Sequence, residues 1–359
     1  MSTLFSPITV RDLVIRNRLW VSPMCQYSAI DGVVQEWHHT HLTQFASGGA
    51  GLVITEASAV VPEGRISPAD AGLWNDRQRD AWASIVAGIH SRGAAAGIQL
   101  AHAGRKASTA SPLHGARGSV DLADGGWVTQ APSAIAYQGF AEPAELRTEQ
   151  IDALVAAFAA AATRAVDAGF DLVEVHAAHG YLLHEFLSPL SNQRSDEYGG
   201  SLENRARFLL RVLHAIRDVC PTLPIFVRFS ASDGADGGWS VEDTVTVSGW
   251  VAAAGADLID VSAGGLVAHQ KIEVFPGYQV GYANRVRSAV DIPVAAVGLI
   301  TDAEQAERIL TEGSADAILA GREWLRDPHF ALRAATELDV DIDYWPAPYL
   351  RARRSRHAT

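Results

Sequence analysis

Eight short apolar segments recur along the chain at intervals typical of alternating strands and helices. Each segment is a run of mainly apolar residues and does not alternate between apolar and polar positions. Strands that are buried on both faces of a parallel sheet have this pattern, so we predict eight buried strands. The predicted strands span residues 19–22, 52–56, 97–100, 172–176, 225–229, 258–261, 294–297 and 317–320.

Longer segments with helical periodicity separate these strands, and residues that favour helix ends flank several of them. Thr148 and Asp302 stand where N-cap residues are expected. Gly169, Gly255 and Gly313 each follow a helical segment, as glycines at helix C termini do. The predicted helices span residues 37–46, 77–91, 149–168, 202–219, 241–254, 282–289, 303–312 and 323–338.

The succession of eight strand and helix units favours a closed (β/α)₈ TIM barrel over an open doubly wound sheet. No composition break or Pro/Ser-rich linker divides the chain, so we predict one domain over residues 1–345 and a tail over residues 346–359. Residues 108–137 and 264–279 interrupt the rhythm after the third and sixth strands. We therefore place both segments at the mouth of the barrel, where the active sites of such folds lie.

The overall charge and the cysteine content argue against several classes of protein. A formal net charge of −12 argues against nucleic acids and anionic membrane surfaces as partners. Two cysteines are too few for a disulfide framework or for the usual iron–sulfur cluster. No apolar run approaches the roughly 18 residues of a membrane helix, and the first residues lack the pattern of a secretory signal. We therefore expect a soluble cytoplasmic protein.

Polar side chains cluster at the predicted carboxyl ends of the strands, where barrels of this kind carry catalytic groups. His176 ends the fourth strand, and His179 and Tyr181 follow it. The two imidazoles could bind a metal, donate hydrogen bonds to one oxygen, or be ordinary polar residues of a loop. Metal ligation usually needs a third or fourth donor, and the first strand carries no His-x-His pair that would supply one. Two imidazoles and a phenol suit the polarisation of a carbonyl and the protonation of a carbon.

Other strand ends carry groups that suit a polar ligand. The amide of Gln99 can both donate and accept hydrogen bonds, and Arg228 supplies a cation; alternatively, the backbone satisfies the first and a carboxylate the second. Gly298, Gly321 and Arg322 follow the seventh and eighth strands, where such barrels frequently form a phosphate site. The alternative is a tight turn at Gly321 and a solvated helix start at Arg322.

Five longer motifs occur in a fixed order along the chain, at residues 17–27, 98–106, 176–189, 194–201 and 321–322. Together they resemble the Old Yellow Enzyme family of flavin-dependent ene-reductases, in particular its thermophilic-like bacterial branch, over essentially the whole chain. Yeast-type members have His and Asn at the positions of His176 and His179, which places this chain in the bacterial branch. The segment 108–137 is longer than in some relatives.

The resemblance implies a non-covalently bound FMN at the mouth of a single FMN-binding barrel. Cys25 corresponds to a cysteine that tunes the flavin potential; alternatively, it is a small buried apolar residue. His176 and His179 correspond to the pair that binds the substrate carbonyl. Tyr181 corresponds to the proton donor, and Tyr27 to a substrate contact. The residues implied around FMN are Ser22, Pro23, Met24, Cys25, Ala57, Gln99 and Arg228 at the flavin and Gly298, Gly321 and Arg322 at the phosphate.

The activity that the resemblance implies is that of an NADPH dehydrogenase and ene-reductase. Hydride passes from NADPH, or alternatively NADH, through FMN to the activated C=C bond of an enone, nitroalkene or quinone. The resemblance also implies a homodimer or homotetramer, in which the tail contacts a neighbouring subunit and Arg351 corresponds to an arginine that enters the neighbour's active site. From the residues alone, the alternative is a metal-dependent hydrolase that uses His176 and His179.

Overall fold

The structure, a computed structural model, describes residues 2–114 and 118–353. Eight parallel strands form a closed barrel, which confirms the predicted fold class. A short antiparallel hairpin precedes the barrel, and a separate two-stranded sheet lies in the segment after the third barrel strand. The strands are β1 (Ile8–Val10) and β2 (Leu13–Ile15) in the hairpin, β3 (Leu19–Val21), β4 (Leu52–Ala59) and β5 (Ala95–Ala101) in the barrel, β6 (Gln130–Ala131) and β7 (Ala144–Glu145) in the separate sheet, and β8 (Leu172–Ala177), β9 (Ile225–Ser230), β10 (Leu258–Ser262), β11 (Val294–Ala296) and β12 (Ala317–Ala320) in the barrel.

Helices surround the barrel and connect its strands. Among the described residues, no helix combines the length and apolar composition that crossing a membrane requires. The helices are α1 (Glu36–Ser47), α2 (Asp76–His90), α3 (Thr148–Asp167), α4 (Leu182–Leu187), α5 (Leu202–Val219), α6 (Val241–Ala253), α7 (Val280–Arg287), α8 (Ala303–Thr311), α9 (Arg322–Arg326) and α10 (Phe330–Glu337).

The hairpin closes the amino-terminal end of the barrel. Ile8 and Ile15 pack in one buried cluster with Trp20, Phe226 and the first residues of several strands. A larger apolar core lies between the barrel and its helices. The first cluster fills the inside of the barrel at the amino-terminal ends of the strands, and the larger core fills the space between the strands and the helices. The polar groups are therefore concentrated at the carboxyl ends of the strands.

The helix ends confirm most of the predicted punctuation. Asp302 caps α8, where its Oδ1 accepts a hydrogen bond of 2.7 Å from the Gln305 amide. Gly169, Gly255 and Gly313 follow helices with φ of 93°, 101° and 72°, a backbone region that suits glycine. The N-cap prediction at Thr148 is wrong, since this residue is the first of α3 and is already helical.

The helix predicted over residues 323–338 is also wrong, because the structure contains α9 and α10 there. Pro328 separates them. A proline disfavours helical backbone at the preceding residue, and Asp327 accordingly adopts φ −136° and ψ 92°. The short helix α4 was not predicted because all six of its residues are buried, which leaves no helical alternation in the sequence.

The two long segments after β5 and β10 meet at the mouth of the barrel, as predicted. Arg105 joins them, since its guanidinium donates hydrogen bonds to the carbonyls of Ile135 at 3.1 Å and Leu266 at 2.8 Å. Residues 115–117 of the first segment lie outside the described residues. The same is true of residues 354–359 in the predicted tail, whose described part includes a 3₁₀ helix over Ala347–Ala352.

Candidate active site

Three aromatic side chains meet at the end of β8. The His176 ring lies 5.1 Å from the His179 ring and 5.0 Å from the Tyr181 ring, both in edge-to-face orientation. His176 is buried, and its Nδ1 has no hydrogen-bond partner among the described residues. The structure therefore brings together the three groups that the sequence singled out at this strand end.

A tight turn after β8 determines how these rings are presented. His179 and Gly180 have positive φ angles of 60° and 72°. A Cβ atom at Gly180 would lie 2.4 Å from the Gly265 carbonyl oxygen, so only glycine fits there. The Gly180 amide donates to His184 Nδ1 at 2.9 Å, and His184 Nε2 lies 2.9 Å from Asp233 Oδ1. His184 of helix α4 thus connects the turn to Asp233 and stabilises its conformation.

Two serines on neighbouring strands fix His179. Its backbone amide donates to Ser230 Oγ at 2.9 Å, and its Nε2 lies 2.8 Å from Ser262 Oγ. Engagement of Nε2 leaves Nδ1 as the ring nitrogen for another partner. The Ser262 hydroxyl donates to Gln279 Oε1 at 3.2 Å in the structure, so Nδ1 becomes the donor of a neutral His179 ring only when this hydroxyl turns to Nε2 instead.

The protonation states at the strand end follow from burial. Burial, and next the positive charge of Arg228, lower the pKa of both His176 and His179 well below the usual value. Burial raises the pKa of Tyr181 well above its usual value. Near neutral pH the site therefore holds two neutral imidazoles and a protonated phenol, all of which can donate hydrogen bonds.

Lys106 is an additional group at the mouth that the sequence reasoning did not assign. Its Nζ donates to the His179 carbonyl at 2.8 Å and to the Gly265 carbonyl, and it lies 5.7 Å from the centre of the Tyr181 ring. Burial lowers its pKa to about 8. Its position four residues after His102, in one of the recognised motifs, was the available signal.

The inside of the barrel below these rings carries a second polar group of residues. Arg228 Nη1 donates to Ser22 Oγ at 3.0 Å, and its Nε lies 3.1 Å from Asp260 Oδ2. Gln99 Nε2 donates to Glu174 Oε1 at 2.7 Å. Arg228 is thus paired with a carboxylate, and Gln99 with a side chain and not with the backbone. Sequence reasoning missed Glu174 and Asp260, although each is a single acid in an otherwise apolar strand segment.

The segment after β3 lies beside the end of β4. Cys25 and Tyr181 pack against a small apolar cluster that contains Ala57. The Cys25 Sγ lies within 4.8 Å of a carboxylate oxygen of Asp70, and burial raises the pKa of the Cys25 thiol. Burial also raises the pKa of Asp70 to about 7 and that of Tyr27 above its usual value. The thiol and the phenol are therefore neutral near pH 7.

A cavity joins the inside of the barrel to the ends of β11 and β12. Gly298, with φ 122°, has no room for a Cβ, which would lie 2.7 Å from Gln279 Nε2. Arg322 is exposed at the start of α9 and forms no ion pair with another described residue. The predicted site residues that line the cavity together are Ser22, Pro23, Met24, Arg228, Gly298, Gly321 and Arg322.

The two histidines do not belong to a metal-binding cluster in the part of the chain that the structure describes. The cluster of three potential ligands found there consists of Cys25, Glu56 and Asp70, whose ligand atoms lie within 4.8 Å of one another. Glu56 already receives the Gln26 amide at 3.0 Å and His38 Nε2 at 3.1 Å. The geometry therefore gives no support to the metal-dependent hydrolase.

Comparison with known proteins identifies the family. The model of the NADH:flavin oxidoreductase / NADH oxidase family matches residues 3–341. The chain belongs to this family. An NADPH dehydrogenase of Bacillus subtilis (strain 168) is 47% identical over 348 residues, which are 96% of this chain and 97% of that protein. An NADPH dehydrogenase of Listeria welshimeri is 48% identical over 355 residues, covering 98% and 99% of the two chains.

Solved structures of related enzymes have the same fold. Morphinone reductase in complex with tetrahydroNAD has a TM-score of 0.78 at 27% identity, with 95% of this chain and 92% of that chain covered. A 2-naphthoyl-CoA reductase complex has a TM-score of 0.84 at 25% identity, with 94% of this chain but 52% of that chain covered. The protein is thus an FMN-dependent NADPH oxidoreductase of the Old Yellow Enzyme type.

The described residues fit this cofactor. Gly298 and Gly321 line the cavity at the ends of β11 and β12, and Gly321 leaves space for a close approach to the backbone, as a bound phosphate requires, since a Cβ there would lie no closer than 3.4 Å to another residue, Met24. The exposed cation of Arg322 is next to them, and the buried cation of Arg228 lines the same cavity. A cavity lined by two cations suits an anionic ligand with a polar ring.

Proposed function

We propose that the protein is an ene-reductase that reduces the activated C=C bond of α,β-unsaturated carbonyl compounds. The observation that carries this proposal is the cluster of two neutral imidazoles and a protonated phenol, in which the His176 ring lies 5.1 Å from the His179 ring and 5.0 Å from the Tyr181 ring, at the mouth of a barrel that uses FMN and NADPH. Enones, nitroalkenes and quinones have an electron-poor double bond and an oxygen that such donors polarise.

The proposal assigns the cofactor to the cavity described above. Gly298, Gly321 and Arg322 would hold the phosphate, and the remaining cofactor residues would surround the ring. The chemistry that FMN supplies when bound is hydride transfer, first from NADPH and then to the substrate double bond. The remaining predicted cofactor residues are Ser22, Pro23, Met24, Cys25, Ala57, Gln99 and Arg228.

His176 and His179 bind and polarise the substrate in this proposal. Each neutral imidazole donates one hydrogen bond to the substrate oxygen, where negative charge develops as hydride reaches the β-carbon. The free Nδ1 of His176 and the serine contact at His179 Nε2 agree with this role. Tyr27, which has φ 51° in the segment after β3, contacts the substrate.

Tyr181 donates the proton that completes the reduction. Because its pKa is raised, the phenol holds its proton until the substrate α-carbon becomes basic. Lys106 lies beside the Tyr181 ring and holds the His179 and Gly265 carbonyls together, which keeps the donor in place. NADPH and the substrate use the same face of the site in turn, so the expected kinetics are ping-pong.

The test is an anaerobic absorbance titration of the purified FMN-loaded protein. We expect flavin absorbance bands that bleach with NADPH and return when cyclohexenone is added. Bleaching without return on addition of an enone, a nitroalkene or a quinone would refute the ene-reductase assignment and leave the NADPH oxidoreductase. Parallel titration with NADH compares the two hydride donors.

We also propose a homodimer or homotetramer in which the tail, residues 346–359, contacts a neighbouring subunit beside the FMN-binding barrel of residues 1–345. Arg351 is exposed in the described part of the tail. It is the residue that would enter a neighbouring active site. Gel filtration measures the assembly, and Arg351→Ala is expected to raise the KM for enone. Unchanged kinetics would remove this role.

A further inference from the structure

Two acidic side chains inside the barrel take no part in the reaction proposed above. Glu174 on β8 and Asp260 on β10 are both completely buried. Glu174 stands two residues before His176 in β8, and Asp260 stands two residues before Ser262 in β10. His176 and Ser262 both belong to the site at the mouth of the barrel. Since side chains on a strand alternate between its faces, the two acids point to the same side of the barrel wall as those residues, one layer lower.

These acids join the two residues that we place against the FMN ring. The strand register sets Gln99 beside Glu174 and Arg228 beside Asp260. Gln99 donates to Glu174 at 2.7 Å, and Arg228 lies 3.1 Å from Asp260. The other oxygens of the two acids, Glu174 Oε2 and both oxygens of Asp260, are buried with no hydrogen-bond partner among the described residues, and each acid is an electrostatic neighbour of the other. A chain of polar neighbours therefore crosses the barrel from Gln99 to Arg228.

This chain contains one more acid than base. A hydrogen bond between two carboxyl groups requires a proton on one of them, because neither carboxylate is a donor. Two ionised carboxylates with Arg228 would leave one uncompensated negative charge in a buried site, which is strongly unfavourable. With one shared proton the three groups carry no net charge.

The surroundings of the acids favour the shared proton. Burial, and next the negative charge of the partner, raise the pKa of Glu174. Burial also raises the pKa of Asp260, and Arg228 opposes the shift at both acids. Next to Asp260, β11 contributes Ala295, and next to Glu174, β5 contributes Gln99, neither of which is charged. His176, which the register places beside Arg228, is neutral near pH 7.

We propose that Glu174 and Asp260 form a proton-sharing carboxyl pair that positions Gln99 and Arg228 and couples the reduction potential of FMN to pH. The proposal rests on the binding of FMN beside these two residues. It makes the acids positioning residues, which act on the cofactor through their neighbours.

The coupling follows from charge balance. Two-electron reduction by hydride adds negative charge beside Arg228, and this charge raises the proton affinity of the pair. At a pH where the shared proton has dissociated, reduction is therefore accompanied by the uptake of one proton from solvent onto the carboxylates. At lower pH the pair already holds this proton, so reduction does not change the number of protons bound to the two carboxyl groups.

The test measures the midpoint potential of FMN in the holoenzyme from about pH 6 to about pH 10, a range that extends well above the ordinary pKa of a carboxyl group. Glu174→Gln keeps the size of the side chain and an acceptor for Gln99 but cannot bind the proton. Glu185→Gln is the matched control, because Glu185 is equally buried, has its pKa raised to about 8, and does not contact Gln99 or Arg228.

In the wild type we expect the dependence of the potential on pH to steepen by one additional proton per two electrons towards alkaline pH. Glu174→Gln is expected to lose this steepening, and the control is expected to keep it. A wild-type dependence without steepening, or equal steepening in Glu174→Gln, would overturn the proposal.

Infrared spectroscopy of the FMN-free protein gives a second measurement that does not depend on the cofactor. Asp70 and Glu185 also have raised pKa values and contribute protonated-carboxyl bands near neutral pH. The band of the pair is therefore measured as a difference between wild type and variant, and both Glu174→Gln and Asp260→Asn are expected to lack a component of the wild-type band that disappears at alkaline pH. If neither variant folds, the wild-type potential still decides the question, since a pH dependence without the alkaline steepening overturns the pair. Neither measurement uses an enone, so a failed reoxidation would refute the ene-reductase and not this inference.

Discussion

Polar groups are buried in two layers of the barrel, the rings at its mouth and the layer of Gln99, Glu174, Arg228 and Asp260 below them. The two layers accommodate this burial in opposite ways. At the mouth, His176, His179 and Tyr181 become neutral and keep their protons as donors. In the layer below, Arg228 is in an ion pair with the buried carboxylate of Asp260. The same strands supply both layers, so the difference arises from what each side chain meets and not from its depth alone. A neutral layer can bind and release substrate, whereas a charged layer is suited to fix a cofactor.

The largest effect is expected for Tyr181→Phe. Without the phenol proton, the oxidative half-reaction with enone should slow by about 10²–10⁴-fold, the usual contribution of a general acid. Reduction of the cofactor by NADPH should be unchanged. Stopped-flow absorbance measures the two half-reactions separately. Tyr198→Phe, at a buried tyrosine outside the site, is the control, and equal slowing of both half-reactions in Tyr181→Phe would contradict the assignment.

His176→Phe tests the donor role at the mouth with little change in side-chain volume. Loss of one donor to a developing oxyanion costs about 2.7–4 kcal/mol, or about 10²–10³-fold in rate. We expect this loss in kcat/KM for cyclohexenone, with an unchanged rate of cofactor reduction. The exposed His214→Phe should behave as the wild type. A His176→Phe enzyme with full enone activity would show that the lower layer, and not the rings, polarises the substrate.

The two layers should reduce the free energy of unfolding at opposite ends of the pH range, the histidines at acidic pH and Glu174 at alkaline pH. The histidine pKa values are lowered in the folded state, so the unfolded chain binds more protons and stability falls as pH falls below about 6.5. Glu174 has a raised pKa, so its contribution is complete below the ordinary carboxyl pKa and is lost as pH rises through the folded value.

Thermal unfolding of the FMN-free protein at about pH 5 and about pH 9, on either side of the ordinary histidine pKa, checks both directions. Relative to the wild type, His176→Phe should gain melting temperature at the acidic pH and Glu174→Gln at the alkaline pH, each by a few degrees. Glu185→Gln should resemble Glu174→Gln, since burial raises the pKa of Glu185 to about 8. The reverse pattern would contradict the protonation states on which the comparison depends.

The smallest effect concerns the turn that presents the rings. Gly180 and Gly237 both have φ 72°, but a Cβ at Gly180 would lie 2.4 Å from a carbonyl oxygen, whereas a Cβ at Gly237 would meet no atom within 4 Å. Each change to alanine should cost about 1–3 kcal/mol of unfolding free energy from backbone strain. Gly180→Ala should cost more and also lower enone activity. Chemical denaturation and steady-state kinetics measure both, and equal losses would show that the turn is not sterically fixed.

Most of the fold could be predicted because each barrel strand is buried on both faces and each helix is amphipathic. The eight mainly apolar segments therefore coincide with the eight barrel strands. Prediction failed where local signals were weak or conflicting. Pro328 divides one predicted helix into two, and α4 is apolar on every side.

The candidate site was predicted in part for a related reason. His176 lies at the end of a strand, and Tyr181 and Gly321 come shortly after strands, so chain position alone brings them to one end of a barrel. Glu174 and Asp260 were missed because an acid inside a strand does not reveal which partner neutralises it. Their partners, Gln99 and Arg228, are 75 and 32 residues away in the sequence, respectively, and become neighbours only through the strand register.

The sequence by itself determined the order of strands and helices, the closure into a barrel and the identity of the groups at its mouth, because hydrophobic periodicity and strand direction are local properties. Only the tertiary structure decided the protonation states and the pairing of the buried charges. These depend on desolvation and on distances of about 3 Å between side chains from different strands, which no local pattern contains.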